Sequence, residues 1–315
     1  MRYNRHSTMD FLKALTERVR VAEGAMGTRL FSKGIAPGTC LEELNLSRPA
    51  LIREIHQEYR EAGAEIFKSN TFGANPVRLA RHDLAEKCRA MNMAGVRIAK
   101  AVAGDTGWVA GVVGPLGEKA NPNASQSFAI QIAALAESGA DCILLETFRN
   151  LDELEAAIHA AREVCELPVV AQVSPDEQGN LEDGLRPEEF VRKLGEWGAD
   201  AIGCNCGAGL AGLLETVRRM ARLTAKPLTA QPSAGLPFIQ QGRTVYPYSP
   251  EEIAEAAEHL LESGVRLLGG CCGTTPEHIA AIQRTVRSRY ANPILLPPAR
   301  ATGGERWWHE LRGKC

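Results

Sequence analysis

One phrase recurs along this chain and limits what it can fold into. EAGAE (61–65), ESGAD (137–141), EWGAD (196–200) and ESGVR (262–266) share one grammar. Each closes a segment with apolar residues at helical spacing, and each opens a short apolar run. Glycine reaches the left-handed conformation that ends a helix without a Cβ penalty. An apolar run that starts there reads as a strand buried on both faces. The repeating unit is therefore helix, glycine stop, strand.

Eight runs fit the strand half of the unit: 19–24, 64–70, 108–114, 141–147, 168–174, 199–206, 226–231 and 265–270. Helical periodicity fills the intervals at 51–63, 93–104, 151–164 and 249–264. Asp152, Ser249-Pro250 and Thr275-Pro276 supply start signals. The count predicts an α/β fold, a single-domain (β/α)8 TIM barrel over residues 1–290. A doubly wound open sheet is the alternative, but no G-x-G-x-x-G opens the first helix. The stretch 75–104 is long enough for an extra helix between the second and third strands. The Pro- and Gly-rich tail 291–315 reads as a C-terminal extension or linker stub. Trp307-Trp308 within it could dock on the barrel or on a neighbour.

Composition narrows the partners. Lys and Arg total 36 against 38 Asp and Glu, a formal charge of −2. That balance offers no footprint for nucleic acid or an anionic membrane. No apolar stretch approaches the roughly 18 residues of a membrane span. The polar N-terminus lacks the apolar centre of a signal peptide, so the expected location is cytoplasmic. Nine cysteines in that compartment point to metal or thiol chemistry rather than disulfides.

Barrel chemistry sits at the C-terminal ends of the strands. Those ends read EGAMGT (23–28), SNTFGAN (69–75), GPLGE (114–118), ETF (146–148), NC (205–206), QPSAG (231–235) and GGCCGTT (269–275). If the sixth and eighth strands end at one rim, Cys206, Cys271 and Cys272 converge there. Three thiolates with one open position make the pattern of a catalytic Zn2+ site. Neighbouring cysteines on an extended strand point to opposite faces. Cys271 and Cys272 can share an ion only where the backbone turns, which Gly269, Gly270 and Gly273 permit. Two other readings stand beside this one: buried core cysteines, and a vicinal disulfide between Cys271 and Cys272. Cys204, two residues before Cys206, is expected to point the same way but deeper into the barrel, as packing. Glu146 follows the apolar run CILL and would suit an ammonium group, or a barrel salt bridge. The EGAMGT loop could cradle a carboxylate on its N–H groups, or be a tight turn.

At these residues the sequence resembles the homocysteine S-methyltransferase family, zinc-thiolate methyltransferases built on a (β/α)8 barrel. The resemblance runs from about residue 21 to 278. It is carried in order by EGAMGT, EELNLSRP, SNTFGANPVRL, VVGPLGE, LLETF, IGCNCGAG, GRTVYPYSP and GGCCGTTPEHI. Within the family, EELN, NTFGAN and GGCCGTTPEHI are most similar to the homocysteine-binding module of cobalamin-dependent methionine synthases. They are also similar to bacterial fusions of that module with a methylenetetrahydrofolate reductase.

The resemblance implies that Cys206, Cys271 and Cys272 hold Zn2+ and that Glu146 binds the substrate amino group. Glu23 stands where the family usually has Asp, and it too would bind the substrate, its extra methylene still reaching the amine. Gly24, Ala25 and Met26 would offer N–H groups to the substrate carboxylate. Ser233 stands where methionine-synthase relatives often carry Asn. The implied reaction moves a methyl group to L-homocysteine, giving L-methionine. The methyl donor would be S-methylmethionine, S-adenosylmethionine, betaine or protein-bound methylcobalamin. A homocysteine-activating module served by a separate cobalamin or folate protein is a second reading. A barrel lyase or isomerase binding phosphate after the eighth strand is a third, although it gives the paired cysteines no task.

Overall fold

The structure, a computed structural model, describes residues 5–117, 121–182, 184–207, 209–240 and 243–291. Eight parallel strands form one sheet in the ring order β1-β10-β7-β6-β5-β4-β3-β2. They are β1 (Arg20–Val21), β2 (Ile66–Lys68), β3 (Trp108–Val113), β4 (Cys142–Phe148), β5 (Val169–Val173), β6 (Ala201–Cys206), β7 (Leu228–Pro232) and β10 (Val265–Leu268). A parallel bridge between Ala22 and Ile66 joins the two ends, so the sheet closes on itself. That excludes the open doubly wound alternative. All eight expected strands are present, and Gly63, Gly139, Gly198 and Gly264 have φ of 97°, 91°, 106° and 84°. The four helix-stop glycines thus adopt the left-handed conformation that the repeated phrase predicts.

Alternation along the strands makes two cores. One face of each strand packs under the helices, as Val109, Ile143, Leu145, Val169, Ile202 and Leu268 do. The other face fills the barrel with Ile66, Ala110, Val112, Leu144, Val170 and Leu267. The N-terminal helix Arg5–Glu17 adds Phe11 and Leu15 to that inner cluster and plugs the end opposite the candidate site. Sequence reading found no role for this helix. Gly203 faces the interior, where a Cβ would lie 1.9 Å from the Thr229 carbonyl oxygen. Only glycine lets β6 and β7 approach there.

The stretch between β2 and β3 carries the expected additional helix, Pro76–Ala80, ahead of Cys88–Ala103. An antiparallel hairpin of β8 (Phe238–Gln240) and β9 (Arg243–Val245) was not expected. It interrupts the connection from β7 to the helix Pro250–Glu262. The tail from residue 292, with Trp307-Trp308, lies outside the described residues. Among the described residues no helix is long and apolar enough to cross a membrane.

Candidate active site and metal centre

At the C-terminal rim the Sγ atoms of Cys206, Cys271 and Cys272 all lie within 4.8 Å of one another. Cys206 Sγ and Cys272 Sγ are 3.7 Å apart. Sulfurs at about 2.3 Å from a tetrahedral ion are separated by about 3.8 Å, so this spacing suits a shared ion. It is far beyond a disulfide bond, and the three cysteines are free. A buried core role also fails, because Cys272 is exposed and Cys206 half-exposed.

The backbone explains how the sulfurs meet. Cys206 has φ of 55°, a left-handed conformation uncommon for a residue with a side chain. That turn lifts its side chain out of the strand's alternation. Cys204, still in regular β6, points the other way. It packs outward in the helix layer, 3.5 Å from Met220 Sδ. The expectation that Cys204 points into the barrel is therefore corrected, while its packing role stands. The Cys271-Cys272 turn is fastened to β7: Cys271 N–H donates to Pro232 O at 2.8 Å, and Ala234 N–H donates to Cys272 O at 2.8 Å. Ser233 lies buried between those two anchors. As thiols the trio shares protons: donation from Cys206 and Cys271 holds Cys272 below the ordinary thiol value. Loss of a proton is correspondingly disfavoured at Cys206.

Inside the barrel beneath the sulfurs sit Lys68 on β2 and Glu146 on β4, each less than a tenth exposed. Glu146 Oε2 is buried and accepts no hydrogen bond. Burial pushes this carboxyl up to about 7, against the attraction of Lys68. A buried carboxylate with a spare acceptor is costly unless a partner arrives, and an ammonium group is the natural partner. Lys68 Nζ donates to Gly270 O at 3.0 Å, tying β2 to the cysteine turn.

Glu23 lies nearby, but its two oxygens are engaged. Oε2 is 2.9 Å from His56 Nδ1, and Oε1 accepts from Lys68 N–H at 2.8 Å. Each oxygen keeps a second lone pair, so the carboxylate is held in place while still able to accept from a ligand. The loop at Gly24, Ala25 and Met26 packs against Tyr59, whose hydroxyl lies 2.8 Å from Ala25 O and 3.0 Å from Thr274 O. A Cβ at Gly24 would meet Thr274 Oγ1 at 2.8 Å. This loop therefore sits directly against the cysteine turn.

The glycine pair after the eighth strand leaves no cradle for phosphate. Gly269 N–H donates to Ala230 O at 3.1 Å and Gly270 N–H to Glu23 O at 3.3 Å. Those two donors are spent on the barrel, so the glycine pair itself offers no N–H to a phosphate.

Other motif residues prove to be scaffolding. In EELN, Glu42 Oε1 accepts from Gly73 N–H at 2.6 Å, and Asn45 Nδ2 donates to Asn70 O at 2.8 Å. Both hold the loop after β2. His278 receives Thr275 N–H on Nδ1 and meets Tyr248 O from Nε2. It caps its own helix. Sequence reading missed Lys68, His56, Tyr59 and Asn205. Lys68 carried the clearest signal, a charged residue inside an apolar strand run.

The site is thus a closed parallel barrel whose rim brings three cysteines close enough to hold a metal ion, beside an under-partnered carboxylate. A family model described as homocysteine S-methyltransferase matches residues 20–286. The chain belongs to the homocysteine S-methyltransferase family, a family of methyltransferase enzymes. It is 34% identical over 301 residues to a methionine synthase of Mycobacterium tuberculosis, covering 88% of this chain and 25% of that protein. A methionine synthase of Mycobacterium leprae is 33% identical over the same shares. The chain thus spans about a quarter of the length of these relatives. The metallated form of the homocysteine methyltransferase MmuM from Escherichia coli is similar in structure, with a TM-score of 0.73 and 27% identity. That match covers 87% of this chain and 99% of the other.

Proposed function

We propose that this chain is a zinc-dependent enzyme that moves a methyl group onto the thiol of L-homocysteine, giving L-methionine. The observation that carries the reading is the trio of sulfurs within 4.8 Å of one another, above a buried carboxylate oxygen that lacks a donor. A metal handle for sulfur and an anionic pocket for an ammonium, on one rim, match a substrate with both groups.

Soft thiolates favour zinc among the common divalent ions, and Cys206, Cys271 and Cys272 would hold it. When bound, zinc would lower the pKa of a coordinated thiol and so favour the thiolate at neutral pH. A free thiol has a pKa near 8.5 and is mostly protonated there. Glu146 takes the substrate ammonium. Glu23, held by His56 Nδ1 and the Lys68 N–H, keeps lone pairs with which to join it, and Gly24, Ala25 and Met26 face the substrate carboxylate. These contacts orient the sulfur toward the donor and contribute through positioning. In the transfer the sulfur lone pair forms the new S–C bond. The bond from the methyl carbon to the donor breaks, and the donor keeps its electron pair. The thiol proton has already gone to solvent. The free thiols at the site suit a reducing, cytoplasmic setting.

The donor is S-methylmethionine, S-adenosylmethionine, betaine or protein-bound methylcobalamin. A second reading rests on the likeness to methionine synthases. It makes the barrel a homocysteine-activating module that works with separate cobalamin or folate proteins. A screen of these donors, with zinc measured on the same sample, tests both. Turnover with a free donor supports the stand-alone enzyme. Stoichiometric zinc and homocysteine binding without turnover supports the module. Absence of both zinc and homocysteine binding refutes the proposal.

A further inference from the structure

We propose that Asn205 is a positioning residue that couples the metal ligands to the substrate-amine pocket; this rests on the assignment of Cys271 and Glu146 given above. Asn205 ends the inward face of β6 and is completely buried. Its Oδ1 accepts from the backbone N–H of Thr147 at 2.7 Å. Its Nδ2 donates to Thr147 Oγ1 at 2.7 Å and reaches Cys271 Sγ at 3.6 Å. The Thr147 N–H can only donate, which fixes the amide orientation. Both Nδ2 hydrogens and the oxygen are thus committed, to two different strands' ends.

The Thr147 end of this clamp shapes the amine pocket. Thr147 has φ of 68°, an outlier for a β-branched residue. The register of β4 against β5 shifts between Leu145 and Phe148. Thr147 is therefore an inserted residue that resets the alternation. Phe148 packs outward under the helices with Leu145, while Glu146 faces the interior. A regular strand would put Glu146 and Phe148 on one face. Such a conformation persists only when its surroundings hold it, and the two bonds from Asn205 do so. Asn205 also precedes Cys206, the other left-handed residue of the site. At its Cys271 end the amide N–H orients a ligand sulfur, as outer partners of metal ligands do. One side chain therefore sets a ligand sulfur and the aim of the amine-binding carboxylate together.

The test uses the full chain with Asn205→Ala, Thr147→Val and Thr147→Ser. Zinc affinity is read by competition with a chromogenic chelator. Ligand geometry is read from the thiolate-to-metal charge-transfer band of the cobalt(II) form, and homocysteine Kd by calorimetry. Asn205→Ala should bind zinc about ten- to hundred-fold more weakly, shift the cobalt band and weaken homocysteine binding by about ten-fold or more. Thr147→Val should weaken homocysteine binding about five-fold with zinc affinity unchanged, and Thr147→Ser should restore it. A parent-like cobalt band and zinc affinity in Asn205→Ala would overturn the proposal. If Asn205→Ala does not fold, parent-like homocysteine binding by Thr147→Val overturns it instead. A parent chain that binds no metal through the cysteine trio removes the functional reading and this inference together. A parent that binds, beside an unaltered Asn205→Ala, removes this inference alone.

Discussion

Lys68 Nζ stops 3.9 Å short of Glu146 Oε2. The lysine gives its close bond to the Gly270 carbonyl instead, so the two charges share the barrel interior without neutralising each other's hydrogen-bonding needs. Glu146 keeps an oxygen for an incoming ammonium, and the burial that leaves it so also pushes its carboxyl up to about 7.

This gives a pH dependence with a defined sign. The folded protein holds the Glu146 proton more tightly than an unfolded chain does, the ordinary value being 4.5. The stability it contributes is present below that value and falls as pH rises through about 7. Glu146→Gln should therefore be more stable than the parent at pH 8.5 by on the order of 3 kcal/mol, with little difference at low pH. Denaturant unfolding at matched metal content measures it. A parent whose advantage or deficit is flat with pH contradicts the account.

The same carboxylate should govern ligand binding. Methionine carries the ammonium but no titrating thiol, so its affinity isolates the amine contact. Affinity should climb toward pH 7 in the parent and stay flat and weak in Glu146→Gln, while zinc content is equal in both. Calorimetric titration across pH reads this. Loss of zinc in Glu146→Gln would mean the residue supports the metal rather than the amine.

Serine at Cys206, Cys271 or Cys272 should each abolish stoichiometric zinc and methyl transfer. Cys204→Ser is the control. Cys204 packs outward against Met220, so its loss should leave zinc content intact and cost about 1–3 kcal/mol for a hydroxyl in an apolar layer. Metal analysis of the four purified variants distinguishes the roles.

His56 and Glu23 form a pair with essentially no solvent contact. His56→Leu should destabilise the fold by about 3 kcal/mol, because it strands a buried carboxylate. Adding Glu23→Leu should recover part of that loss. A thermal or denaturant series on the two variants tests the pairing.

Much of this architecture was legible in the chain. The glycine that ends a helix and the apolar run that follows are both local signals; the glycine phrase marked four of the barrel strands and the apolar runs marked all eight. The paired cysteines announced a turn, since extended neighbours diverge. What escaped was set by tertiary contact. Nothing in NC tells that Cys206 leaves the strand's alternation, so Cys204 was aimed the wrong way. Thr147 takes a left-handed conformation only because Asn205, 58 residues away, holds it. The helix Arg5–Glu17 has a polar beginning, and only the barrel's open end explains why Phe11 and Leu15 are buried.

Zinc-edge X-ray absorption on the purified chain, with and without homocysteine, tests the metal site most directly. The account predicts one zinc per chain with three sulfurs at about 2.3 Å and one lighter neighbour, converting to four sulfurs when homocysteine is added. A first shell dominated by nitrogen or oxygen, or a sulfur count that ignores homocysteine, would contradict it.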